Sequence, residues 1–98
     1  MSKAVVVNCS YVKIRAHPNY CYVGRPTVWG NPYSVKRYGR DDAIRLYREW
    51  IVTQPLLLAM LPRLRGKLLG CWCAPLPCHA DVLAEMVNAL PTKDAWKV

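Results

Sequence analysis

Lys67-Leu68-Leu69-Gly70-Cys71-Trp72-Cys73, then Ala74-Pro75-Leu76-Pro77, then Cys78-His79-Ala80-Asp81-Val82-Leu83, is the stretch that decides the fold. Its first seven residues are mostly apolar and read as a strand, which two prolines in the next four residues break. Beyond the break, Val82, Leu83, Met86, Val87 and Leu90 recur at the spacing of one helical face, and Pro91 stops the helix. Strand, tight loop and helix in that order point to helices packed on a small sheet. The loop from Cys73 to Asp81 then occupies the place where open α/β sheets bind ligands. That place lies beyond the carboxyl end of a strand, facing the free N–H groups of a helix start.

Upstream, Arg63-Leu64-Arg65-Gly66 is a turn, and Pro55–Leu61 is a short helix with Pro55 at its first position and Pro62 ending it. Asp41-Asp42 opens the clearest helix, because Ala43, Leu46, Tyr47, Trp50 and Ile51 share one face and acids favour a helix N-terminus. Near the start, the continuous run Ala4–Val7 reads as a buried strand. Tyr11–Arg15, where Val12 and Ile14 alternate with Lys13 and Arg15, reads as a second strand. His17-Pro18-Asn19 is a turn and Tyr20–Val23 a further strand. The expectation is a single α/β (or α+β) domain over residues 1–91, followed by a tail at 92–98. The sheet should have about four strands, with two to three helices.

Ninety-eight residues suffice for one core. Fourteen Lys and Arg against six Asp and Glu leave a net charge of +8, which attracts phosphates, nucleic acid or acidic proteins. No run reaches the roughly 18–20 apolar residues that cross a bilayer, so no membrane partner is expected. The five cysteines are odd in number and fit no closed disulfide framework, and the short N-terminal apolar run is not a secretion signal. Reduced thiols in the cytoplasm follow.

Two segments carry candidate chemistry. Cys71, Cys73, Cys78 and His79 place four soft or borderline donors within nine residues, which invites zinc. Two residues apart on a strand, Cys71 and Cys73 share a face; adjacent Cys78 and His79 would need a distorted turn to bind one ion together. A second reading makes Cys78 a reactive thiol at a helix N-terminus, with His79 as acid or base and Asp81 as cap. A third leaves the cysteines packed in the core, where free thiols usually lie.

The other segment is Gly24-Arg25-Pro26-Thr27-Val28-Trp29-Gly30-Asn31-Pro32-Tyr33. Its glycines let backbone approach a ligand, Arg25 offers a fork for phosphate, Trp29 or Tyr33 a stacking face and Asn31 a hydrogen-bonding edge. The competing reading is a rigid loop with Trp29 in the core. Arg65 is a further phosphate candidate.

Taken together, the Gly-Arg-x-x-x-Trp-Gly-Asn-Pro loop at Gly24–Pro32, the Tyr47–Trp50 helix core and the segment Leu64–His79 resemble a family of small bacterial and phage proteins, a domain of unknown function. The last block has the form Leu-Arg-Gly-Lys-x-Leu-x-Cys-Trp-Cys-x-Pro-x-x-Cys-His. The resemblance spans about residues 20–90 and implies common descent without naming a reaction. The residue after the His is often Gly in that family and is Ala80 here.

The residues thus point to a small α/β protein that binds nucleotides or nucleic acid. Gly24, Arg25, Trp29, Asn31 and Arg65 are its expected ligand contacts, and Cys78, His79 and Asp81 its chemical groups. Two alternatives stay open: a zinc-stabilised module that binds an acidic host protein or nucleic acid, and a nucleotide-processing enzyme with Cys78 as nucleophile.

Overall fold

The computed structural model describes residues 3–90; the expected tail at 92–98 lies outside them. Three strands, β1 (Val5–Asn8), β2 (Tyr20–Tyr22) and β3 (Leu68–Cys71), form one parallel sheet in the order β1-β3-β2. The last strand in sequence is therefore the central one. Register pairs Val6 and Cys21 with Leu69, and Asn8 with Cys71. Because side chains alternate along a strand, Leu69, Cys71 and Val23 turn to one face, where all three are buried. Tyr20, Tyr22 and Gly70 turn to the other.

The helical layer covers the first face. Its elements are α2 (Val35–Tyr38), α3 (Arg40–Ile51), α4 (Pro55–Met60), a 3-10 turn (Leu61–Leu64) and α5 (His79–Ala89), while α1 (Val12–Arg15) packs beside β2. Ala43, Tyr47 and Ile51 of α3 and Val82, Leu83 and Val87 of α5 are buried against the sheet and one another. Arg48 on α3 meets Glu85 on α5 at 2.7 Å across their exposed seam. Between α2 and α3 stands Gly39 with φ +81°, a backbone conformation that side chains disfavour. No helix among the described residues is long and apolar enough to cross a membrane.

Several expectations are corrected, beginning with the burial of the first strand: Val5 of β1 is half exposed on the thinly covered face. Tyr11–Arg15 is not a strand: Asn8 Oδ1 accepts the Ser10 N–H at 2.8 Å and turns the chain, and α1 closes on Tyr11 and Val12 carbonyls. Tyr11 and Val12 are more than 60% exposed, so the alternation there buries nothing. The sheet consequently has three strands instead of about four. The helices among the described residues number five in place of two to three, because short turns fill what read as irregular connections. Pro62 does not stop α4 so much as begin a tighter turn, since a missing N–H is harmless at a helix start.

The strand expected over Lys67–Cys73 ends at Cys71. Asn8 Nδ2 donates to the Ala74 carbonyl at 2.7 Å and Leu76 N–H to the Cys73 carbonyl at 2.8 Å. These bonds fold the chain out of the ladder, so Cys71 and Cys73 do not share a strand face.

Candidate functional site

The loops leaving β2 and β3 are neighbours because the strands are, and a cavity of about 300 Å³ opens between them at the carboxyl ends. Gly24, Arg25, Asn31 and Tyr33 line it from the first loop; Cys71, Cys73, Cys78 and His79 line it from the second. The two sequence segments singled out above therefore meet in one site.

The first loop is held by its own atoms. Thr27 Oγ1 donates to the Gly24 carbonyl at 2.6 Å, and Arg25 Nε donates to the Asn31 carbonyl at 2.7 Å. Asn31 is buried: its Nδ2 donates to the Ala43 carbonyl on α3 and its Oδ1 accepts the Tyr33 N–H. Tyr47 Oη, fully buried in α3, donates to the Trp29 carbonyl at 2.8 Å. Gly24 lets the Tyr22 ring lie directly over the backbone, where a Cβ would overlap the phenol.

The second loop brings two thiols together. Cys71 at the end of β3 and Cys78 at the cap of α5 are both buried, with their sulfur atoms 2.9 Å apart. One thiol donates to the other, so the pair gives up its first proton readily and holds its second tightly. The S–H of Cys78 stabilises the Cys71 thiolate, and the backbone N–H groups of Cys73 and Ala74 add to it against the cost of burial. The Cys71 thiol is thereby lowered to about 6. Cys78 is pushed far up by the same shared proton, by burial and by the charge on Cys71.

His79, the first residue of α5, sits on the ring edge of Tyr47, centroids 5.1 Å apart. Its Nε2 lies 2.7 Å from the Val23 carbonyl and must donate to it, since a carbonyl only accepts. Nδ1 is then the ring's acceptor in the neutral form. Burial, with Arg25 nearby, holds the imidazole below its ordinary value and outweighs the bond to Val23. At neutral pH the ring is uncharged. Asp81 closes the helix start, its Oδ2 accepting the Cys78 N–H at 2.8 Å.

Several expected contacts fall elsewhere. Trp29 belongs to the buried core and does not line the cavity, because the loop folds inward over α3. Asn31 lines the cavity, with one amide N–H given to the Ala43 carbonyl and its Oδ1 accepting the Tyr33 N–H. Arg65 precedes β3 and so lies toward the amino end of the strands, away from the cavity. Cys71, Cys73, Cys78 and His79 do not gather on one point: His79 turns to Val23, and no group of three His, Cys, Asp or Glu among the described residues could hold a metal ion. Tyr22, Ser34, Ile44 and Trp72 line the cavity without having been singled out. Tyr22 was signalled by its place two residues before Gly24 on a strand; nothing in the sequence marked Ile44.

A family model described as a domain of unknown function, DUF4326, matches residues 7–89. The chain belongs to this family. The chain is 38% identical over 80 residues to "Uncharacterized 12.4 kDa protein in nrdA-td intergenic region" of Enterobacteria phage T4, covering 78% of this chain and 73% of that protein. It is 29% identical over 75 residues to "Uncharacterized protein R718" of Acanthamoeba polyphaga mimivirus, covering 67% of this chain and 57% of that one. No solved structure matches. The family match spans both cavity-lining loops and the strands β2 and β3 that position them.

Proposed function

We propose that the cavity binds a nucleotide through its phosphate and one face of its base or sugar. The observation that carries this is the meeting of the Gly24–Ser34 and Cys71–His79 loops beyond the carboxyl ends of adjacent parallel strands. Ligands of open α/β sheets bind there, and the α5 N-terminus adds a favourable field for an anion. Arg25 supplies the cation, Tyr33 an aromatic surface, and the neutral His79 a ring acceptor. A pocket of this size suits one nucleotide.

Calorimetric titration with nucleoside 5′-monophosphates tests the proposal, with inorganic phosphate and free nucleosides as half-ligand controls. A Kd on the order of 10–100 µM is expected for the preferred monophosphate, with far weaker binding of either half. Arg25→Lys and His79→Gln should each weaken it, since the first loses the guanidinium fork and the second the imidazole acceptor. Silence across the panel, or affinity indifferent to both substitutions, ends the proposal.

A second reading is favoured by the contact between Cys71 and Cys78. In it the site acts on its ligand through a thiolate, and the nucleophile is Cys71, with Cys78 holding the proton. The helix-start position that drew attention to Cys78 works through its partner instead. Intact-mass detection of an adduct on Cys71 after incubation with ligand, absent in Cys71→Ser, is the expected sign. An adduct on Cys78 alone would refute the assignment.

A further inference from the structure

The face of the sheet opposite the helical layer is thinly covered, which is unusual for parallel strands. A second cavity, of about 360 Å³, lies on that side and is lined by Cys9, Arg15, Tyr20, Tyr22 and Trp72. Tyr22 and Trp72 also line the first cavity, so the two spaces share a wall. Trp72 is 63% exposed, yet it is not loose: its indole N–H donates to Tyr22 Oη at 3.2 Å, and that hydroxyl donates to the Arg25 carbonyl at 2.9 Å. The ring of Tyr20 lies over Gly70 in the same way that Tyr22 lies over Gly24. The exposed Trp72 is thus held in place beside the half-buried rings of Tyr20 and Tyr22.

Charge selects the occupant. The first forty residues carry seven Lys or Arg and no Asp or Glu. They supply Arg15, both tyrosines and the entire Gly24–Ser34 loop. Every acid among the described residues stands on α3 or α5, in the helical layer. A polyanion laid across the ridge therefore meets cations and rings from the acid-free part of the chain. Rings that line an open cavity take unpaired bases, whereas the bases of a duplex are already stacked on each other.

We infer that the nucleotide in the first cavity belongs to a single strand, and that the adjoining base stacks against Tyr20, Tyr22 and Trp72 in the second cavity. This rests on the nucleotide reading of the first cavity and names its ligand as a polymer. Arg15, anchored by its Nη1 on the Cys9 carbonyl at 3.0 Å, faces the phosphate that follows.

The test is calorimetry on the full chain with thymidine 5′-monophosphate, the 5′-phosphorylated dithymidine dinucleotide and the tetranucleotide; uridine counterparts separate DNA from RNA. Addition of the second nucleotide should tighten binding at least about fivefold, as one stacked base does. Tyr20, which lines the second cavity and not the first, is the discriminating position: Tyr20→Ala should remove that step while moving the monophosphate affinity less than about threefold, and Tyr20→Phe, which keeps a ring, should retain most of it. Unchanged far-ultraviolet dichroism shows that the variants fold. Equal affinity for mono- and dinucleotide overturns the inference and leaves the single-nucleotide pocket standing. So does a blunt duplex that competes as well as the single strand, or a Tyr20→Ala loss that is the same for both lengths. Silence of the mononucleotide and the dinucleotide alike ends the pocket reading, and this inference with it.

Discussion

The two loops that wall the cavity are built on opposite principles. Between Gly24 and Ser34 polar groups are turned inward on the loop and on α3: Asn31 bonds backbone through both its Nδ2 and its Oδ1, Arg25 through its Nε, and Thr27 through its hydroxyl. Between Cys71 and His79 the polar groups are brought face to face with each other, two thiols at 2.9 Å beside a half-buried neutral imidazole. The first loop has one low-energy arrangement and serves as a frame. The second keeps groups whose protonation is easily redistributed, and such groups mark a place where chemistry can be done.

If the first loop is a frame, breaking it should cost stability. Asn31→Ala leaves the buried Ala43 carbonyl without its side-chain donor and the Tyr33 N–H without its acceptor, and should destabilise by about 2–4 kcal/mol in urea unfolding. A cost within about 0.5 kcal/mol would mean that the loop is not the rigid partner. Gly24→Ala should be milder, about 1–2 kcal/mol, because the new methyl displaces the Tyr22 ring. In a Tyr22→Ala background the same change should cost little, and a double-mutant cycle measures the difference. Additive costs would deny the contact.

The second loop should reveal itself through pH. In the folded chain the thiol pair loses its first proton near 6 and keeps its second, whereas unfolded thiols lose both near 8.5. Between about 6 and 8.5 the unfolded chain binds more protons than the folded one, so stability rises with pH. Above that range the unfolded chain binds fewer, and stability falls. The depressed His79 adds to the acid side, where the unfolded ring takes up a proton below about 6.5 that the folded ring resists. Unfolding free energy should therefore peak near pH 8.5, and Cys71→Ser should flatten the rise between about pH 6 and 8.5. A profile level from pH 6 to 9 would dissolve the distinction between the loops.

The part of the fold governed by periodic burial was legible in the sequence. The α3 and α5 stripes stand in the structure with Tyr47, Ile51, Leu83 and Val87 inside, and β1 and β3 lie within two residues of their expected ends. Tyr11–Arg15 was misread because alternation signals a strand only when a second layer covers one face; here Asn8 turns the chain away first. The site's location followed from the strand-loop-helix order. Its contents did not: whether Trp29 faces ligand or core depends on the carbonyl that Tyr47 seeks from eighteen residues away, and local sequence carries no record of that bond. The pairing of Cys71 with Cys78, instead of with Cys73, depends likewise on the Asn8 side chain bending the loop from the far strand.

The strand order has a consequence for the chain's birth. β1 and β2 are made first, but neither touches the other in the sheet; both hydrogen-bond only to β3, some fifty residues after β2. While the ribosome is still translating α3 and α4, the emerging chain holds two strands with unpaired edges and nothing to join them. Asn88 then clasps the amide and the carbonyl of Ala4 from the end of α5, 84 residues on. Non-local pairings of this kind fold slowly. The nascent chain therefore stays open until β3 clears the exit tunnel, and its sheet assembles in a single late step.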